Sequence, residues 1–192
     1  MELSGKRVGF ALSGSFCTFS AVLPEIQNLI EAGAIVTPIM SYNASSIDTR
    51  FGKAADFIYE IEKMTKTKVL KTIDEVEPIG PKKLLDLIIV APCTGNTLGK
   101  ISQGITDTPV SLAVKAHLRN LRPVLLAVST NDGLGANFKN IGTLMNTKSM
   151  FFVPFGQDDY VKKPTSLVAD MKKIVPAAVK AINFEQIEPV II

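Results

Sequence analysis

The sequence predicts a doubly wound α/β domain, a mainly parallel sheet with helices on both faces. Two observations predict it. Apolar runs of strand length, Val8–Leu12, Ile35–Met40, Leu87–Val90, Val124–Val128 and Met150–Val153, alternate with segments whose apolar residues recur at helical spacing. Three of these runs, those ending at Leu12, Val90 and Val128, lead into turns rich in Ser, Thr, Asn and Gly. Three polar loops at the carboxyl ends of parallel strands define one crevice, where open α/β sheets bind ligands. No internal repeat, low-complexity tract or boundary divides the chain, so residues 1–192 are read as a single domain.

Val8–Leu12 is the first strand and Ser13-Gly14-Ser15 its polar turn. Gly9, Gly14 and Gly33 lack the G-x-G-x-x-G spacing, which excludes a dinucleotide-binding Rossmann turn. Phe16-Cys17-Thr18-Phe19 could cover a flat ring or simply pack a helix. Pro24 interrupts or restarts the first helix, Ile26, Leu29 and Ile30 mark its inner face, and Gly33 closes it. Ser41 stands at the end of the second strand, as a phosphate contact or an ordinary loop residue. Phe57, Ile61 and Met64 share a face of a helix over Ala54–Thr65. Lys68–Thr72 reads as a short third strand, and Glu77–Pro81, with two Pro and a Gly, as an irregular turn.

Leu87–Val90 fits a buried parallel strand, which Ala91-Pro92 is predicted to end because Pro92 offers no ladder donor. Cys93, Thr94, Gly95, Asn96 and Thr97 then open a helix carrying Leu98 and Ile101. Free amides, two hydroxyls and a helix dipole make this turn an anion cradle, suited to a phosphate. An ordinary turn capped by Thr94 or Asn96 would use the same residues. The only histidine, His117, falls on the apolar stripe Val110, Val114, His117, Leu121 of a helix starting at Pro109, which makes it a core residue. Val124–Val128 is the next strand, ended by Ser129, Thr130 and Asn131. A helix over Ala136–Asn146 should turn Phe138, Ile141 and Met145 inward, and Met150–Val153 should be the last strand. Residues 154–164, with Gln157, Lys162 and Lys163, have the makings of a substrate lid or of a solvated connector. Thr165 or Ser166 should cap a final helix carrying Leu167, Met171, Ile174 and Ala178, and the apolar tail Val190-Ile191-Ile192 should pack on something, a neighbouring protomer being one choice.

A chain that is 46% hydrophobic and 20% charged is globular and not disordered. A net charge of +3, without basic residues interleaved with aromatics, argues against nucleic acid. No apolar run approaches the ~18 residues of a membrane helix, and Glu2 breaks any signal-peptide layout. Two cysteines argue for a reducing cytoplasm without disulfides. One histidine and two separated cysteines give no metal-ligand spacing, and no G-x-S-x-G supports triad hydrolysis.

APCTGNT at 91–97, followed by Lys100, resembles the core motif of the flavoprotein family, which includes FMN-binding Cys decarboxylases and FMN-prenylating enzymes. The resemblance implies a Rossmann-like flavoprotein fold and an FMN site. The implied cofactor residues are Ser13, Gly14, Ser15, Ser41, Pro92, Cys93, Thr94, Asn96, Thr97, Ser129, Thr130 and Asn131. Pro78 stands where the decarboxylases carry their catalytic His, and the Arg that prenylating enzymes hold near Ser129 is missing. EPIGPKKLLD at 77–86, STNDGLG at 129–135 and VPFGQDD at 153–159 are instead similar to a branch that forms one component of a two-component oxidoreductase of sporulating cells. That similarity extends from Lys6 to Met171. It implies a homo-oligomer, a trimer or a multiple of one, in the cytoplasm of the mother cell. It also implies a partner, the A-type subunit of that oxidoreductase, carrying NAD(P), and a small dicarboxylate substrate. The cationic lid, Gln157, Lys162 and Lys163, is the expected substrate contact, with Lys82 and Lys83 as the competing pair. No catalytic residue is implied, and a non-catalytic scaffold is a third possible role.

Overall fold

The computed structural model describes residues 2–192. In chain order the elements are β1 (Arg7–Leu12), α1 (Phe19–Glu31), β2 (Ile35–Met40), α2 (Tyr42–Ser46), α3 (Ala54–Thr65), α4 (Ile73–Val76), β3 (Leu87–Cys93), α5 (Gly95–Ser102) and α6 (Pro109–Leu118). β4 (Val124–Thr130), α7 (Phe138–Met145), β5 (Met150–Phe152), β6 (Phe155–Gln157), β7 (Leu167–Ala169) and α8 (Ile174–Ile182) complete it. Five strands run parallel in the order β2-β1-β3-β4-β5, one of the two common doubly wound arrangements. β3 and β4 have every residue buried, the continuous burial that helices on both faces of a parallel sheet impose. The chain leaves β1 toward β2 on one side and β3 toward β4 on the other. A crevice therefore opens above the carboxyl ends of β1 and β3. No helix among the described residues is long and apolar enough to cross a membrane.

Several local expectations change. β3 does not stop at Ala91-Pro92; it runs on to Cys93, with a register shift against β4 between Val90 and Cys93. The shift absorbs the missing N–H of Pro92, while the Pro92 carbonyl still accepts from the Ser13 amide at 3.2 Å. The third strand expected at Lys68–Thr72 shrinks to a single bridge, Leu70 against Ile39, because only Leu70 reaches the edge of β2. Glu77–Ile79 is a 3₁₀ turn, which tolerates Pro78 in its first positions. β5 is not the last strand. β6 and β7 follow and pair antiparallel with each other, and β7 pairs antiparallel with the far end of β4 through Ser129 and Thr130. Leu167 thus belongs to a strand, and the final helix begins only at Ile174, after a 3₁₀ turn capped by Asp170. On α7 the buried residues are Asn140, Ile141 and Leu144, while Phe138 and Met145 are exposed. The tail pairs with the free edge of β6 through its backbone, Ile191 bridging Phe155, while the Ile191 and Ile192 side chains stay exposed.

Candidate functional site

The crevice has two lobes joined over Gly14, Thr94 and Asn96. The first, about 430 Å³, lies between the β1 turn, the end of β2 and the amino ends of α5 and α6; Ser41, Tyr42, Thr97, Lys100, Asp107 and Thr108 wall it. The second, about 290 Å³, lies over the end of β4; Ser15, Gly95, Ser129, Thr130, Asn131, Asp132 and Asn137 wall it. A larger groove of about 750 Å³ between α1 and α3 is remote from the strand ends and is lined mainly by apolar stems.

Ser13 is buried and serves as a staple. Its hydroxyl donates to the Pro92 carbonyl at 2.7 Å and accepts from the Thr94 amide at 2.9 Å, tying β1 to β3 at the switch point. Pro92 and Cys93 lie behind the crevice wall, in the core. Thr94 caps α5, accepting from the Thr97 amide at 3.4 Å, with its oxygen 3.1 Å from the Thr97 hydroxyl. That leaves the first-turn amides of Gly95 and Asn96 without intrahelical partners. Ser41 caps α2, accepting from the Ala44 amide at 3.2 Å. Asp107 holds the Lys100 ammonium at 2.6 Å, and the Lys100 hydrogen bond keeps the Asp107 carboxyl below its usual range.

The second lobe carries a ring of hydroxyls. Ser15 lies 2.8 Å from both Thr18 and Ser129, and Thr18 lies 3.0 Å from Ser129. Behind it Asp132 accepts from Thr130 at 2.5 Å and from the Asn137 amide at 2.8 Å to both oxygens, bonds that hold its carboxyl below the usual range. Gly95 lets this network close, since a Cβ there would stand 2.4 Å from Asn137 and 2.5 Å from Thr130.

The hairpin loop between β6 and β7 leans on this lobe: Thr165 donates to the Asn131 carbonyl at 2.7 Å and its own carbonyl accepts from the Leu134 amide at 2.9 Å. Its polar residues hold one another. Lys163 pairs with Asp158 at 2.6 Å, Lys162 lies 3.9 Å from Asp159, and Gln157 donates to the Pro164 carbonyl at 2.9 Å. Lys82 and Lys83 stand apart from both lobes: residues 78–84 fold against the far end of α6, where Asn120 bonds the Gly80 carbonyl. That end lies ~15 Å of helix from Thr108, at 1.5 Å per residue.

The residues implied by the motif thus divide between two lobes. Thr18, Asp107, Asp132 and Asn137 join them, beside Lys100, which the motif already carries. Lys100 follows the cradle by a helical turn, yet one face of α5 carries both Thr97 and Lys100 into the first lobe.

A family model described as Flavoprotein matches residues 1–183. The chain belongs to the flavoprotein family. Within it, the chain is 46% identical to the B-type subunit of dipicolinate synthase from Bacillus subtilis (strain 168) over 191 residues, 100% of this chain and 96% of that protein. A crystal structure of the same B-type subunit from Bacillus halodurans superposes with a TM-score of 0.92 at 43% identity, covering 100% of this chain and 98% of the other. The FMN-bound DmrB of Burkholderia xenovorans, at 17% identity and a TM-score of 0.63 over 77% of this chain and 87% of that one, shares the fold.

Cys93 is fully buried, and burial drives its thiol far above the ordinary cysteine range, so the flavoprotein motif carries no thiolate here. Cys17 is exposed. Native protein treated with iodoacetamide should take one label, at Cys17, and Cys93→Ala should keep ligand binding. A second label on folded protein would show that Cys93 is reachable.

Proposed function

We propose that this flavoprotein is the B-type subunit of a dipicolinate synthase, an oxidoreductase component that works with an A-type subunit to convert dihydrodipicolinate to dipicolinate. The observation that carries this reading is the full-length identity of 46% to a protein of that name. Aromatising the dihydropyridine removes a hydride and a proton. With no G-x-G-x-x-G turn in this chain, a nicotinamide, NAD(P), on the A-type subunit is the natural hydride acceptor. The crevice fits FMN: the first lobe offers the Asn96 amide, the Thr94 and Thr97 hydroxyls and one ammonium, the chemistry of a phosphate site. When bound, FMN supplies two-electron redox chemistry. The second lobe is left for the ring and the substrate, with Ser15, Ser129, Thr130 and Asn131 as polar contacts. Gln157, Lys162 and Lys163 stand on the hairpin beside it. The two lysines can meet substrate carboxylates by exchanging Asp158 and Asp159 for them. Exposed Leu134, Phe138 and Met145 give the flank of the second lobe an apolar surface suited to a homo-oligomer, a trimer or a multiple, in the mother-cell cytoplasm. A decarboxylase reading finds no support in the crevice: Pro78 lies at the far end of α6, and His117 is buried there too.

The test is reconstitution. The chain purified with the A-type subunit should form dipicolinate, followed by its ultraviolet absorbance, and omitting either protein should lower the rate at least tenfold. The purified chain should also be yellow with FMN. An A-type subunit turning over equally fast alone would overturn the assignment.

A further inference from the structure

The first lobe contains its own anion. Lys100 stands in the last turn of α5 and lines the lobe beside the amino end of α6, with Asp107 closing on it in the stretch that enters α6. Both Asp107 oxygens are within hydrogen-bond distance of the ammonium, Oδ1 at 2.6 Å and Oδ2 at 2.5 Å. The two partners differ in freedom. The Lys100 side chain is 20% exposed and the Asp107 side chain 58%, so Asp107 can swing into water whereas Lys100 stays with the cavity. Among the described residues lining either lobe, Lys100 is the one cation. Thr94, Thr97 and Asn96, with its first-turn amide, stand on the wall of the same lobe.

We propose that Lys100 is the phosphate-binding cation of this crevice and that Asp107 is a built-in placeholder, displaced when a phosphate monoester enters. The inference rests on the reading of the crevice as an FMN site and adds a selection rule to it. A phosphate dianion brings three oxygens and twice the charge of a carboxylate, so it can take Lys100 from Asp107 while also accepting from the amides and hydroxyls. A ligand without the phosphate cannot, and it leaves the ion pair closed. Asp107 thus sets a threshold that FMN passes and riboflavin does not use. It also keeps Lys100 compensated in the empty protein, where an unpaired, largely buried ammonium beside the amino end of α6 would be unfavourable.

Fluorescence-quenching titrations of the whole chain with FMN and with riboflavin test this. Lys100→Met should weaken FMN ten- to a hundredfold, the range of one or two charge-assisted hydrogen bonds, and leave riboflavin unchanged. Asp107→Asn should do the reverse, tightening FMN about fivefold, again without effect on riboflavin. Lys100→Arg should recover much of the affinity, and thermal melts of each variant within a few degrees of the parent would exclude misfolding. Inorganic phosphate should compete with FMN on the parent and far less on Lys100→Met. If the parent binds FMN and Lys100→Met binds it equally well, the placeholder is wrong while the flavin site stands. If the parent binds neither flavin, both fall.

Discussion

Denaturant unfolding at pH 4 is expected to find the protein about 3 kcal/mol less stable than at pH 7, with His117 as the chief cause. His117 is 1% exposed, on the inner face of α6, and its Nε2 has no hydrogen-bond partner among the described residues. Burial first, then the Arg122 guanidinium, lowers its pKa from 6.5 to about 4. The proton therefore prefers the unfolded chain. Stability is complete above pH 6.5 and is lost as the pH falls from there toward 4, where the folded imidazole begins to charge as well. At 1.36 kcal/mol per unit, that window amounts to about 3 kcal/mol. Asp86, lowered to about 2 by its hydrogen bond from Arg7, works lower down. Its contribution is present above pH 3.8 and disappears between there and 2. His117→Gln removes the titration while keeping a donor near the Pro123 carbonyl. Its stability should change far less between pH 7 and pH 4 than that of the parent. Equal losses in both proteins would mean that His117 is not buried neutral.

The second large effect is expected from Ser13→Ala. One hydroxyl serves the Pro92 carbonyl and the Thr94 amide at once, at 2.7 and 2.9 Å. The carbonyl retains the Ser13 amide, but the Thr94 amide is left without a partner. An unsatisfied, part-buried amide plus a lost buried bond costs about 2–3 kcal/mol. For a chain of this size that is a fall of about 5–10 °C in the midpoint of thermal unfolding. Ser15→Ala removes one member of the half-exposed hydroxyl ring and should shift the midpoint by less than ~2 °C. Calorimetry on the two variants separates a staple from a ligand contact; a Ser13→Ala protein that melts with the parent would show that Ser13 staples nothing.

The parallel core is legible because burial on both faces writes itself as unbroken apolar runs, Leu87–Val90 and Val124–Val128 above all. What escapes depends on partners far away in the chain. Phe155–Gln157 and Leu167–Ala169 are three residues each, too short for a period, and they are strands only because the end of β4 has a free edge. Spacing alone turns Phe138 inward; Asn137 and Asn140 take that side because Asp132 and Ser102 bond them. The motif at 91–97 locates the crevice, but not its division. Ser41 and Ser129, expected to line one cofactor crevice, stand on opposite sides of the switch between β1 and β3, and only the strand order decides that.

The three hydroxyls over β4 carry one further consequence. When Ser15, Thr18 and Ser129 close into a cycle at 2.8, 2.8 and 3.0 Å, each donates one proton and accepts one. All three hydrogens are then spent, and what the cycle still offers is unused lone pairs. The sense of the cycle can run either way without moving a heavy atom, yet neither sense frees a donor. An anion can be greeted only by opening one link, whereas an N–H group is accepted with the cycle intact. That wall of the crevice accordingly favours the donor-bearing edge of a heterocycle over a carboxylate, and it does so with side chains that carry no charge.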